Sequence, residues 1–244
     1  MNPKIPHVVV SLAMIAVGIV PIIYWGRTRK VESSAFLLGM LGWIVTVAIK
    51  FAIAIPFNQP FARFLAVSVS SGVGSRLFDA YIGFLTAITE CGILYLAIRF
   101  SSLKKYQFSQ IIAFGIAFGA IEAILLGVRY GLTIALADSA EIVDVPAAYS
   151  SIVERASTMP LHTLSCALIF FSVITKRSLL FWIAFFAKGA VDGFASWLIF
   201  SHPTRDLLFQ ISLYGSYAVM AALSSIGLWW LNKHKDTWTS EAKL

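Results

Sequence analysis

The sequence predicts an all-α fold, a polytopic membrane helix bundle of about seven transmembrane helices, read as one integral membrane domain over residues 1–244. Two features of composition predict it. Hydrophobic residues make up 59% of the chain and charged residues only 13%, where a soluble domain carries roughly 25%. Seven apolar stretches also reach the length of about 20 residues that crosses a bilayer. The formal charge of +7 does not point to nucleic acid, because the basic residues sit in short clusters between apolar runs rather than along one face. The partner this pattern predicts is a lipid bilayer.

The spans are expected at 6–25, 34–56, 77–99, 107–128, 148–175, 178–200 and 207–231. The first is too long for a secretory signal, has only Lys4 before it and lacks a small-residue cleavage site before GRTRK, so it is expected to remain as a helix. Residues 57–76, bounded by Pro56 and Pro60 and containing SSGVGS, predict an interfacial segment followed by a loop. That glycine-rich run lacks the Lys-Ser/Thr ending of a P-loop, so it predicts flexibility and not a phosphate cradle. Residues 129–147 predict an outer connection carrying Asp138, Glu141 and Asp144 and ending at Pro146. No internal repeat is visible, which weakens an inverted-repeat transporter reading.

Charge between spans gives orientation. Arg27, Arg29, Lys30, Arg99, Lys104, Lys105, Lys176, Arg177, Lys233, Lys235 and Lys243 fall on one side; Lys4, Arg63, Arg76, Arg129 and Arg205 fall on the other with the acidic run. The positive-inside rule then puts the N-terminus outside and the C-terminus in the cytoplasm. Cys91 and Cys166 lie inside spans without metal-ligand spacing and read as small apolar fillers. Trp182, Trp197, Trp229, Trp230 and Trp238 read as packing residues or interfacial anchors.

Ionisable side chains inside the spans are the functional signal, because charge in hydrocarbon is expensive. They are Glu90 on span three, Glu122 on span four, Glu154, Arg155 and His162 on span five, and Lys188 and Asp192 on span six. Helix rise of about 1.5 Å per residue places Glu122, His162 and Asp192 all about 21–23 Å from the inner surface. Arg155 and His162 are seven apart and Lys188 and Asp192 four apart, so each pair shares a helix face. Pro160 opens the helix beside His162, and Gly115 and Gly119 make a small-residue stripe one turn before Glu122. His162 is the one histidine expected to be buried, and a catalytic zinc normally takes three N, S or O ligands, so no metal and no other cofactor is expected.

Plain structural readings stand beside these. Glu154 and Arg155 read equally as an interfacial pair, and His162 as a packed core histidine. Lys188 with Asp192, and Lys50 with Asp79, read as ion pairs that fix register, or Lys50 as a snorkelling side chain. Glu122 resists a plain reading, since its small neighbours offer no local partner and one must come from another helix.

The phrases FGAIEAILLG, ERASTMPLH and AKGAVDG on successive late helices resemble the YhfC family of predicted intramembrane proteases, related to the CAAX-processing, bacteriocin-processing and PrsW proteases. The resemblance covers roughly residues 80–200 and implies that Glu122, Glu154, Arg155, His162 and Asp192 occupy site positions. The related families pair two glutamates before an arginine, where this chain has Thr89 and Glu90 with no arginine until Arg99; they also have a histidine where this chain has Lys188. The implied activity is hydrolysis of peptide bonds in membrane proteins or peptides, in a bacterial cell membrane. Glu122 or Glu154 would act as general base, His162 and Lys188 would stabilise the oxyanion, and Asp192 would orient one of them. The alternatives are a small transporter or binding subunit that uses the charges for protons or a solute, and a non-catalytic relative that binds membrane peptides.

Overall fold

A computed structural model describes residues 4–137, 145–201 and 207–235, and every element among them is helical. Helix α1 spans Ile5–Arg29 and α2 spans Ser33–Ser68. The third membrane segment joins α3 (Ser71–Thr86), a π-helical turn (Ala87–Gly92) and α4 (Ile93–Phe100). Then follow α5 (Phe108–Leu136), α6 (Val145–Ile174), α7 (Ser178–Ser201) and α8 (Leu207–Lys233). Among the described residues seven helical segments are long and apolar enough to cross a membrane, as expected. Their outer faces carry exposed Ile55, Val67, Phe100 and Leu136, an arrangement that only lipid makes favourable.

Asp138, Glu141, Asp144, Arg205, Trp238 and Lys243 lie outside the described residues. Cys91 and Cys166 are buried free thiols. Trp182 packs among Phe181, Phe185 and Phe186, Trp197 lies beneath Arg76, and Trp229 and Trp230 are exposed.

Two connections are shorter than their sequence suggested. Residues 57–76 are almost entirely helix: α2 runs through Pro56 and Pro60, and SGVGS forms the first turn of α3. Proline is tolerated where neighbouring helices support the segment. Here Phe61 packs on Phe78 and Tyr81, and the Tyr81 hydroxyl donates to Asn58 Oδ1 at 3.1 Å. Likewise α5 continues to Leu136, where Lys4 Nζ donates to the carbonyls of Ala135 and Ala137 at 3.4 and 2.9 Å. A cation at a helix C-terminus satisfies orphan carbonyls and the helix dipole together.

The contacts divide the chain into two units, one of residues 1–43, 108–164 and 217–233 and one of residues 44–107, 165–216 and 234–244. In the first unit α1 runs antiparallel to α5. Trp25 Nε1 donates to Ser109 O at 3.0 Å, Ser11 Oγ donates to Gly127 O at 2.9 Å, and His7 Nδ1 meets the Tyr130 hydroxyl at 2.5 Å. Gly18 lies against the Ala120 carbonyl, a distance of approach that a side chain would prevent. Residues 111–120 of α5 are buried without a break, so this helix is the core of its unit.

In the second unit α3 and α7 cross backbone to backbone. Gly83 faces Gly189 and Gly193, and Gly193 lies against the Asp79 carbonyl. Small residues permit this approach, and packing then replaces the hydrophobic driving force that lipid does not supply. Ser196 Oγ donates to Asp79 Oδ1 at 2.7 Å, so Asp79 is held by a hydroxyl rather than by Lys50. A leucine at position 83 has no room, and Gly83→Leu is expected to destabilise the protein by about 1–3 kcal/mol, read as a lower midpoint of unfolding in detergent.

Candidate functional site

In the first unit Glu122 gathers the polar residues of α6. Arg155 Nη1 donates to Glu122 Oε1 at 2.5 Å, and His162 Nε2 lies 2.8 Å from Oε2. Arg155 Nη2 donates to Glu154 Oε1, so one guanidinium bridges two carboxylates. The seven-residue spacing of Arg155 and His162 puts both on the face that meets α5, as their helical phase predicts. The partner that Glu122 needed on another helix is therefore supplied twice. Arg155 and His162 are buried, with side chains 9% and 5% exposed, whereas Glu122 is 21% and Glu154 37% exposed.

Gly119 explains the approach. A Cβ there would meet His162 Cβ and Met159 Sδ, each at 3.0 Å, so the missing side chain lets α6 seat His162 against α5. Phe118 covers the imidazole at a centroid distance of 5.7 Å. Helix α6 continues through Pro160, and the Thr158 and Thr163 hydroxyls donate to the carbonyls of Arg155 and Met159, both on its N-terminal side.

The second unit holds the remaining residues. The π-helical turn carries Thr89 and Glu90, and turns of this kind occur most often at functional sites. Glu90 Oε2 forms an ion pair with Lys188 Nζ at 2.8 Å, and Oε1 accepts from Lys50 Nζ at 3.4 Å. Lys50 also donates to Thr86 Oγ1 at 3.2 Å and pairs with Asp192 Oδ2 at 3.7 Å. Lys188 thus pairs with Glu90, and Asp192 with Lys50, while Asp79, expected opposite Lys50, is held by Ser196 instead. Thr89 donates its hydroxyl to Leu85 O at 2.8 Å.

Two features escaped the sequence. Lys50 is an integral member of this centre, which only its depth in an otherwise apolar span signalled. His7 is fully buried beside Tyr130, so His162 is not the one buried histidine.

The chain matches the sequence profile described as YhfC intramembrane metalloprotease over residues 13–143, more than half its length. It belongs to the YhfC family. The match includes Glu90 and Glu122 and stops before Glu154, Arg155, His162, Lys188 and Asp192, so it overlaps the resemblance noted above only up to residue 143. Neither a curated protein nor a solved structure matches the chain.

The family's description implies a metal. Among the described residues no three of His, Cys, Asp and Glu converge as metal ligands. The acids present are engaged by cations, Glu122 and Glu154 by Arg155 and Glu90 and Asp192 by lysines. A divalent ion would have to displace these cations or sit beside them, and this donor set does not fit one.

Removing Arg155 leaves the Glu122 and Glu154 carboxylates without the buried guanidinium they share. Arg155→Met is expected to cost about 3–5 kcal/mol of stability. Adding Glu122→Gln should recover part of it, with a coupling of about 1 kcal/mol or more in a double-mutant cycle of unfolding free energies.

Proposed function

We propose that this YhfC-family membrane protein is an intramembrane endopeptidase in which Glu122 is the general base. The observation that carries the reading is the division of the Glu122 carboxylate between Arg155 on one oxygen and His162 on the other, within reach of the surface. An ionised carboxylate has about four lone-pair positions, so both oxygens keep acceptor capacity for water.

In the proposed reaction Glu122 takes a proton from water while the hydroxide oxygen adds to the scissile carbonyl carbon. The carbonyl oxygen becomes an oxyanion, and the Arg155 and His162 N–H groups are the nearest cationic and polar donors to stabilise it. Collapse of the intermediate breaks the C–N bond, and the proton on Glu122 passes to the leaving amine. Glu154 shares Arg155 and fixes its guanidinium plane, which makes it a positioning residue in this scheme. The substrate is a membrane protein or peptide, and the N-terminus lies outside with the C-terminus in the cytoplasm, in accord with the charge bias of the connections.

The test is cleavage of a pool of membrane-peptide reporters by the purified protein in liposomes. Glu122→Gln is expected to lower the rate by about 10²–10⁴-fold with folding unchanged, and Glu154→Gln by less. Undiminished cleavage by Glu122→Gln, or none by the wild type across the pool, overturns the reading and favours transport or peptide binding.

A further inference from the structure

The centre around Glu90 has a charge balance that the protease reading does not use. Its members come from three helical segments: Lys50 from α2, Glu90 from the π-helical turn, and Lys188 and Asp192 from α7. Each Glu90 oxygen faces a different ammonium, Lys188 at 2.8 Å and Lys50 at 3.4 Å, and Lys50 reaches on to Asp192 at 3.7 Å. Glu90 and Lys188 are almost fully buried, with side chains 6% and 5% exposed. Two carboxylates and two ammonium groups cancel. The same two carboxylates with one divalent cation in place of the lysines would cancel equally.

We propose that Lys50 and Lys188 take the place of a divalent metal ion at the Glu90–Asp192 centre. The lysines supply the two positive charges that such an ion would bring, and they hold together the helix segments that it would tie. A metal ion added to the existing set would leave a net charge of plus two beside the buried Glu90–Lys188 pair, which a low-dielectric setting makes unfavourable. The centre is therefore closed to divalent cations as long as both lysines are present.

The geometry also says how a metal site would be opened. Position 188 lies one helical turn before Asp192, so a ligand introduced there shares a face with that carboxylate. Imidazole is shorter than a lysine side chain, and the space left in front of Glu90 is taken up by a metal with ligand bonds of about 2.0–2.2 Å. Lys188→His leaves one ammonium opposing the ion, and Lys50→Met combined with Lys188→His leaves none. Metal affinity should therefore rise in the order wild type, single variant, double variant.

The experiment uses the full-length protein in detergent, with zinc as the probe. Zinc content is measured after dialysis against zinc and then buffer, together with the unfolding midpoint in the presence of zinc or EDTA. The wild type is expected to retain no stoichiometric zinc, and neither reagent should move its midpoint. The double variant should retain zinc stoichiometrically, bind it at least about tenfold more tightly than Lys188→His alone, and lose it when Glu90→Gln is added. Stoichiometric zinc in the wild type that Glu90→Gln removes would overturn the proposal. So would a double variant of unchanged helical content that takes up no zinc. The wild-type measurement can overturn the proposal even if the variants do not fold.

Discussion

A carboxylate inside an apolar helix must meet a positive charge on another helix, and the structure is organised around that requirement. Glu122 on α5 cannot be neutralised by its own neighbours, which are alanine, isoleucine and leucine. Arg155 and His162 supply what is missing, so α6 has to lie against α5 in one register. The price is a guanidinium shared with Glu154 and a histidine buried under Phe118. Every one of these groups is expensive alone in hydrocarbon and tolerable only in company.

Charge pairing at such short range needs backbones that come close, and glycine makes that possible. Gly119 admits His162, Gly18 admits α5 against α1, and Gly83 with Gly189 and Gly193 brings α3 and α7 together. In a bilayer there is little hydrophobic gain from burying one apolar helix against another, so close packing and polar contacts have to supply the association energy. The Asp79–Ser196 hydrogen bond extends the α3–α7 contact by the same principle.

Membership of the YhfC family and the local chemistry meet at only two acids. The profile match reaches Glu90 and Glu122, whereas the residues that neutralise them come largely from α6 and α7 beyond it. The metal in the family's description finds no fitting donor set among the described residues. Arginine and lysine occupy the carboxylates instead, which is why the proposed chemistry rests on Glu122 with its two partners and the proposed exclusion of metal on the lysines around Glu90.

Apolar run length and the scarcity of charge were sufficient to determine the all-α class and the seven spans, because about 20 apolar residues have few other stable states in water or lipid. Helical phase also determined that Arg155 and His162 share a face, and the isolation of Glu122 determined that a partner had to come from elsewhere. The continuity of α2 through Pro56 and Pro60 was not legible, since proline signals a break unless neighbouring helices support it. Nor were the π-helical turn, the burial of His7 or the pairing of Lys188 with Glu90. Periodicity assigns a side chain to a face of its own helix, but which charge stands opposite depends on how closely and in what register two backbones pack, and that only the tertiary structure decided.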